Sequence, residues 1–351
     1  MSRYIRVAVD AMGGDLAPAA PVQGAVEAVK SIDNLKVLLV GKEEIINAEL
    51  TKYQYPKDRI EIADAQEVIL TGEPPVRSIQ EKKNSSLVVA MKKVREGEAD
   101  ALVTAGNTGS VLVGGQTIVR RENGVSRAPI ATVVPTEKGC TLIVDSGANV
   151  DAKPENLVQF AIMGQAYSEK AIGVKNPKVA LLNVGAEEEK GNALTKEVYQ
   201  LLKERDDINF IGNIEGNEVS KVKADVIVCD AFAGNVVLKM YEGVSSTFLK
   251  LIKETFMANT KTKIGALLLK KSLKETLKKF DVDRYGGAPL LGLKALVVKA
   301  HGNSKPAAFA TAIKQCITFN ENDLNLIIRE RINKMRKDDD KQEKKDLALF
   351  V

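Results

Sequence analysis

Short runs of β-branched and apolar residues alternate with helical patterns almost to residue 240 of this chain. The runs cover residues 6–10, 36–40, 60–63, 101–104, 178–184, 209–211 and 226–229. Between them, apolar residues recur at helical spacing, as at Val22, Ala25, Val26 and Val29. This β-α-β order favours a mainly parallel sheet that is covered by helices on both faces and binds ligands at the carboxyl ends of its strands.

One pair of runs departs from that order. Residues 130–134 and 141–144 are joined by the turn-like segment 136–139, so a hairpin there would add antiparallel strands and make the sheet mixed. No internal repeat or Pro/Ser-rich linker divides the chain. We therefore predict one α/β domain over residues 1–320, with an amphipathic helical protrusion at 245–280, followed by a charged C-terminal helix and tail at 321–351.

Composition excludes several classes of protein. The net charge of +5 is mild, and aromatic residues make up 5% with no Trp, so the stacking surfaces of single-strand nucleic-acid binders are scarce. Cys140, Cys229 and Cys316 are far apart, and the single His301 leaves no Cys/His cluster for zinc. No apolar run approaches the ~20 residues of a membrane span, and no signal region precedes the first strand. We expect a cytoplasmic protein with no nucleic-acid partner.

A candidate anion site follows the run at 101–104. Thr104, Gly106, Asn107, Thr108 and Gly109 form a small-residue turn that opens a helix, where glycines let the backbone approach a ligand and unpaired N–H groups favour an anion. Strand-to-helix turns of this composition also occur without a ligand, so both interpretations stay open.

Further polar, glycine-rich loops follow other runs, at residues 10–15, 183–192, 212–216, 230–235, 285–292 and 301–304. Their convergence at one edge of a parallel sheet predicts a polar cleft. None carries a Rossmann or P-loop fingerprint, and no Gly-x-Ser-x-Gly elbow is present. A cleft without an obvious protein nucleophile suits a reaction in which inorganic phosphate attacks.

The loops together resemble a known family. The segments that carry the likeness are Asp10-Ala-Met-Gly-Gly-Asp15, Thr104-Ala-Gly-Asn-Thr-Gly109, Gly147-Ala-Asn149, Lys190-Gly-Asn192, Phe210-Ile-Gly-Asn-Ile-Glu-Gly216, Gly234-Asn235 and Gly286-Gly-Ala-Pro-Leu-Leu-Gly292. In order and spacing, over about residues 5–318, they are similar to the bacterial phosphate acyltransferases of phospholipid synthesis. Small departures are Ser110, Ala231 and Ala295, where family members commonly have Ala, Gly and Gly.

The resemblance implies a three-layer α/β/α fold similar to the isocitrate and isopropylmalate dehydrogenases, and a homodimer. It implies transfer of a long-chain acyl group from acyl-[acyl carrier protein] to inorganic phosphate, with no cofactor. The acyl phosphate would then serve a membrane glycerol-3-phosphate acyltransferase. Phosphotransacetylase activity on acetyl-CoA, a dehydrogenase on the same fold and a non-catalytic membrane-surface module are the alternatives.

Three residues are candidates for catalysis. Lys190 would neutralise phosphate or the tetrahedral oxyanion, Asn235 would donate to that oxyanion, and His301 would protonate the leaving thiolate. Each has a structural alternative: a surface lysine, a helix N-cap and a structural histidine. Carboxylates at strand ends, such as Asp145 and Asp230, often only cap helices, so we predict no metal.

The same family motifs supply candidates for binding phosphate or substrate. They are Asp10, Gly13, Gly14, Thr104, Gly106, Asn107, Thr108, Gly109, Asn149, Asn192 and Asn213, and Arg127 is a further candidate outside those motifs. Arg127 could also bind the acidic carrier protein, because guanidinium groups suit carboxylates and phosphates alike, or could be an exposed helix-end cation.

Lysines interleave with apolar residues over 245–280, a pattern typical of two basic amphipathic helices joined near 257–262. Such helices lie on anionic membranes or pack as a dimer arm. We favour reversible contact with the inner face of the cell membrane through Ile264, Leu267, Leu268 and Leu269. The same lysines could dock the acidic carrier protein.

Overall fold

The alternating pattern folds into two mixed sheets in this computed structural model, which describes residues 3–221, 223–278 and 286–349. In chain order the strands are β1 (Ile5–Asp10), β2 (Leu35–Gly41), β3 (Ile60–Asp64), β4 (Ala101–Thr104), β5 (Ala131–Thr136), β6 (Gly139–Val144), β7 (Val179–Asn183), β8 (Phe210–Glu215), β9 (Val226–Val228), β10 (Ala288–Leu290) and β11 (Leu296–Lys299). The predicted strands up to residue 229 and the predicted hairpin are confirmed. β10 and β11 were missed, because the predicted alternation stopped near residue 240.

The strands divide between two sheets, whereas the sequence predicted one. The first has the order β10-β11-β4-β1-β2-β3 and the second the order β5-β6-β9-β7-β8. Each is parallel except at one edge, where β10 and β5 run antiparallel to their neighbours. Among the described residues, the sheets meet at one bridge, between Ile130 and Leu290. Because β10 and β5 share so little pairing, the ladder does not continue across the molecule.

The helices are α1 (Ala19–Ser31), α2 (Glu43–Leu50), α3 (Pro75–Glu81), α4 (Ser86–Arg95), α5 (Thr108–Gly114), α6 (Pro154–Tyr167), α7 (Ala193–Lys203), α8 (Ala231–Met257), α9 (Thr260–Lys278), α10 (Pro306–Glu321) and α11 (Leu324–Leu349). They cover both faces of the first sheet. Val7 and Val9 of β1 pack in one apolar cluster with α1 and α10, whereas Ala8 between them packs in another with α4. This alternation along a strand produces three layers.

The second sheet is covered by α6, whose side chains from 156 to 167 are all buried. The first turns of α11 pack in the same core through Leu324, Ile328 and Ile332, and Arg331 of α11 pairs with Glu169 at 2.5 Å. Packing therefore continues past the predicted boundary at residue 320. The side chains beyond residue 338 are not among those that the structure describes.

The helices α8 and α9 are largely exposed. From Lys239 to Glu275, no side chain that the structure describes is buried. Residues 279–280, the end of the predicted protrusion, lie outside the described residues. In the described part of the chain, no helix combines the length and the apolarity needed to cross a membrane.

Candidate active site

A cleft of about 690 Å³ opens between the facing carboxyl edges of the two sheets. On one side lie the turn at 105–108 after β4 and the loop at 299–303 around the end of β11. On the other lie Ser146 and Gly147 after β6 and four residues of α8. Of the predicted site residues, the structure brings Gly106, Asn107, Thr108, Asn235 and His301 together in this lining.

Asp10 supports the side of the cleft formed by the loops after β4 and β11, which is called the first wall. Its carboxylate is buried and accepts a hydrogen bond of 2.7 Å from the hydroxyl of Thr104, which itself accepts one of 3.0 Å from the N–H of Gly106. Burial is the main cause that raises the pKa of Asp10, and hydrogen bonds to its oxygens oppose the rise. Asp10 and Thr104 therefore fasten one loop to another under the cleft and do not line it.

The predicted binding glycines permit close packing of these loops. A methyl group at Gly13 would overlap Oδ2 of Asp10, and one at Gly109 would overlap the ring of Pro75 in α3. Gly14 lies against Ala105 and the carbonyl oxygen of Gly302. Their small size is explained by these contacts within the protein.

Asn107 also makes its hydrogen bonds within the protein. Its Oδ1 accepts from the N–H of Ser110 at 3.0 Å, which caps α5, and its Nδ2 donates to the carbonyl oxygen of Thr71 at 2.6 Å. Thr108 follows with an exposed side chain in the cleft lining. Within this turn, Thr108 is thus the better-placed side chain for a ligand.

Lys299 is the residue of the first wall that the sequence interpretation missed. Its Nζ donates to the carbonyl oxygens of Ala300, at 2.5 Å, and Ala105, at 3.4 Å. Burial lowers the pKa of Lys299 to about 8, although the charges of Asp10 and Asp15 act in the opposite direction. Lys299 follows the apolar run 296–298. Had β11 been predicted, Lys299 would have been a candidate, because ligands bind at the carboxyl ends of parallel strands.

His301 lies two residues beyond Lys299 in the lining. Its side chain is exposed, and Nδ1 lies 2.8 Å from Oδ1 of Asn303. A ring held by Asn303 at one nitrogen can offer the other to a ligand in the cleft.

The second wall is built on Asp145, whose burial raises the pKa of its carboxyl group. The carboxylate accepts from the backbone N–H groups of Ile130, Ala148 and Asn149 at 2.8 to 3.0 Å. Asn149 is buried, and its Nδ2 donates to Asp145 at 2.7 Å and to the carbonyl oxygen of Ala128 at 3.1 Å. The structure therefore gives Asn149 a supporting position and not one in the cleft lining.

The start of α8 brings Asn235 to the cleft. Asp230 caps the helix by accepting from the N–H of Ala233 at 2.7 Å, so Asn235 is not the N-cap. A methyl group at Gly234 would overlap the carbonyl oxygen of Asp145, which shows how closely the first turn lies against the loop after β6. One turn further on, Lys239 pairs with Glu242 at 2.7 Å in the same lining.

Besides Asp10, Gly13, Gly14, Thr104, Gly109 and Asn149, four further predicted site residues lie outside the cleft lining. Lys190 is exposed in the loop after β7, and Arg127 is exposed before β5. Asn192 caps α7 by accepting from the N–H of Thr195 at 2.9 Å. Asn213 donates to the carbonyl oxygen of Glu187 at 2.8 Å. Asn192 and Asn213 thus shape the loops around β7, and a role for any of the four in binding stays a prediction.

The described lining offers no activated cysteine or serine nucleophile. None of the three cysteines lies in it, and burial raises the pKa of the Cys229 and Cys316 thiols. Ser146 shares a hydrogen bond of 2.6 Å with Thr132 and also bonds the carbonyl oxygen of Ile130, and no histidine contacts it in the described residues. Over the same residues, no group of three or more His, Cys, Asp or Glu is arranged to hold a metal ion.

Solved structures define the class of this fold. The EutD phosphotransacetylase of Staphylococcus aureus covers 90% of this chain and 94% of its own with a TM-score of 0.56 at 15% identity. A phosphotransacetylase of Streptococcus pyogenes gives a TM-score of 0.57 at 16% identity over the same shares. The chain has the three-layer α/β fold of such transferases; the predicted likeness to dehydrogenases stays a prediction.

The family follows from the sequence relatives. A model described as fatty acid synthesis protein matches residues 5–326. The phosphate acyltransferase of Alkaliphilus oremlandii is 49% identical over 335 residues, 95% of this chain and 99% of that protein. That of Clostridium botulinum is 49% identical over 309 residues, 88% and 92%. The chain belongs to the phosphate acyltransferase family, and it is a transferase of the acyltransferase class.

Proposed function

We propose that this protein transfers a long-chain fatty acyl group from acyl-[acyl carrier protein] to inorganic phosphate, giving acyl phosphate for phospholipid synthesis. The observation that carries the proposal is a cleft, in a member of this family, whose described lining holds polar donors but no activated cysteine or serine. Phosphate is then the nucleophile, and the protein binds, orients and stabilises charge.

The proposed reaction proceeds through a tetrahedral intermediate. A phosphate oxygen forms a bond to the thioester carbonyl carbon, the carbonyl oxygen becomes an oxyanion, and the carbon–sulfur bond then breaks. Asn235, at the start of α8, donates its amide N–H to the oxyanion, a contact typically worth ~3 kcal/mol in the transition state. His301 delivers a proton to the departing thiolate.

The turn at 105–108 positions the phosphate. Thr108 is exposed to the cleft and starts α5, so its hydroxyl and backbone N–H can both donate to an anion. Lys190 contributes to phosphate or oxyanion binding in this proposal only if its loop approaches the cleft. Replacement of Lys190 by Ala tests that point directly, because an exposed lysine without a role leaves turnover unchanged.

The exposed helices give the protein its partners in this proposal. Ile264, Leu267, Leu268 and Leu269 of α9 are all more than half exposed, among many lysines. A basic surface with exposed apolar residues suits reversible contact with an anionic membrane, where a glycerol-3-phosphate acyltransferase would use the product. The protein would act as a homodimer in the cytoplasm, at the inner face of that membrane.

Thiol release with and without phosphate tests the reaction. Palmitoyl-[acyl carrier protein] and acetyl-CoA are each incubated with the protein, and free thiol and acyl phosphate are measured. We expect phosphate-dependent release from the carrier protein and much slower release from acetyl-CoA. The reverse preference would favour phosphotransacetylase activity, and release without phosphate would favour a hydrolase.

A further inference from the structure

Lys299 is a charged side chain of the cleft that the proposed reaction leaves unused. It is half-buried, and its two hydrogen bonds go to backbone carbonyl oxygens of Ala105 and Ala300. An ammonium group has three protons, so one is left for a further acceptor. Among the residues that the structure describes, the ion pairs do not include Lys299.

A partly buried lysine without an ion-pair partner is unfavourable for folding, because burial removes water from the charge. Asp10 and Asp15 act on Lys299 from a distance, while Lys239 on the other wall repels it. Two ammonium groups that disfavour each other across a cleft are both stabilised when a dianion lies between them. Asp15 and Glu242 also line the cleft. Their negative charges oppose the attraction of the two lysines for an anion.

We propose that Lys299 binds the attacking phosphate and that Lys239 contacts the same phosphate from the opposite wall. This inference rests on the proposed function and deepens it. It assigns the charged contacts to two lysines, whereas Thr104 and Asn107 already use their polar atoms within the protein. Lysine acts on phosphate as a point charge, so the contact needs proximity more than a fixed geometry.

Binding of inorganic phosphate tests the proposal without any acyl substrate. Phosphate titrations are followed by ³¹P NMR and by thermal unfolding, with chloride holding the ionic strength constant. The proteins are the parent, Lys299→Met, Lys299→Gln and Lys239→Met. Lys294→Met is the matched control, because Lys294 is exposed in the turn before β11 and outside the cleft lining.

We expect phosphate affinity to fall about tenfold or more in both Lys299 variants, as for a lost hydrogen bond between charged groups. Lys239→Met should lose less, because its ammonium group is exposed and paired with Glu242. Lys294→Met should bind like the parent. A folded Lys299 variant with unchanged phosphate affinity would overturn the proposal.

The two Lys299 variants separate binding from structure. Lys299→Gln keeps a donor for the carbonyl oxygens of Ala105 and Ala300, so it decides the question if Lys299→Met does not fold. Failure of the proposed function gives a different result: the parent binds phosphate through Lys299 but forms no acyl phosphate from palmitoyl-[acyl carrier protein]. An active Lys299→Gln enzyme with an unchanged KM for phosphate overturns this inference alone.

Discussion

The two halves of α8 are continuous in sequence but differ in how the rest of the protein holds them. In the first half, Ala231, Gly234 and Leu238 are buried, Asp230 caps the helix, and Asn235 reaches the cleft. From Lys239 to Met257 no side chain is buried, and apolar residues such as Phe248, 63% exposed, face solvent. The helix thus joins a wall of the cleft to an exposed surface.

The contrast shows what apolar periodicity predicts and what it does not. The same spacing of apolar residues occurs in both halves, because periodicity defines a face but not what covers it. The first half meets the loop after β6, where Gly234 lies against the carbonyl oxygen of Asp145. Changes in the first half and in the next turn, where Lys239 and Glu242 line the cleft, should therefore affect folding and the cleft, and changes beyond Glu242 should affect association.

The largest effect is expected from Gly234→Ala. The added methyl group would overlap the backbone oxygen of Asp145, which cannot rotate away as a side chain can. Overpacking against backbone should lower the free energy of unfolding by about 3 kcal/mol and displace Asn235 from the cleft. Urea unfolding and acyl transfer measure the two effects.

The matched control lies in the exposed half of the same helix. A methyl group at Gly243 would meet nothing within 4 Å. Gly243→Ala should raise the free energy of unfolding by about 0.5 to 1 kcal/mol, through helix propensity alone. Equal losses from both substitutions would contradict the difference between the halves.

The second prediction concerns the charge of Lys299, which lines the same cleft as the start of α8. Because the pKa of Lys299 falls from 10.5 to about 8 on folding, the unfolded chain holds a proton between those values that the folded protein has released. The parent should therefore gain stability as pH rises through this window, by up to about 3 kcal/mol from this group. Lys299→Met should lack the gain.

Urea unfolding at about pH 7 and about pH 10 measures this gain in stability. The quantity compared is the difference in the free energy of unfolding between parent and variant at each pH. The free energy of unfolding of Lys299→Met, relative to that of the parent, should be higher at about pH 7 than at about pH 10. Lys294→Met, whose side chain is exposed, should show the same difference from the parent at both. A pH-independent difference for Lys299→Met would show that the buried charge does not destabilise the fold.

The third prediction separates support from binding within one turn. Thr104→Val removes the hydroxyl that bonds both Asp10 and the N–H of Gly106, so it should cost about 2 kcal/mol of stability. Thr108→Val alters an exposed residue in the same turn and should change stability by less than about 0.5 kcal/mol. It should instead raise the KM for phosphate. An unchanged KM would remove the turn from phosphate positioning.

The sequence predicted the strand ends better than the contacts made there. Polar loops after β1, β4 and β9 do converge, because parallel strands end at one edge. However, the side chains of Asp10 and Asn107 are occupied by contacts within the protein, and Lys299 lies where no strand was expected. Composition of a loop does not reveal which donors remain free, since that depends on contacts between residues far apart in sequence.

The length of α8 and the division into two sheets were also beyond the sequence. The predicted helical protrusion began at residue 245, whereas α8 begins at Ala231, because the polar loop at 230–235 was interpreted as a turn. The break between the sheets depends on how β10 and β5 meet at Ile130 and Leu290. A single pairing of this kind leaves no periodic signal in either strand.

The smallest effect on stability is expected in the exposed helices. Leu268 is 80% exposed, so Leu268→Glu should change the free energy of unfolding by less than about 0.5 kcal/mol. Its side chain would bury apolar surface worth about 1.5 to 3 kcal/mol in a membrane, so binding to anionic vesicles should fall at least about tenfold. Flotation with vesicles of anionic lipid measures this.

Val76→Glu is the control, because Val76 is 56% exposed but lies on a different helix, α3. It adds the same charge to the protein, so general repulsion from the anionic vesicle would weaken both variants alike. A loss confined to Leu268→Glu locates membrane contact on α9. If neither variant changes flotation, the exposed apolar residues serve another partner, and a second copy of the chain becomes the first to test by sedimentation.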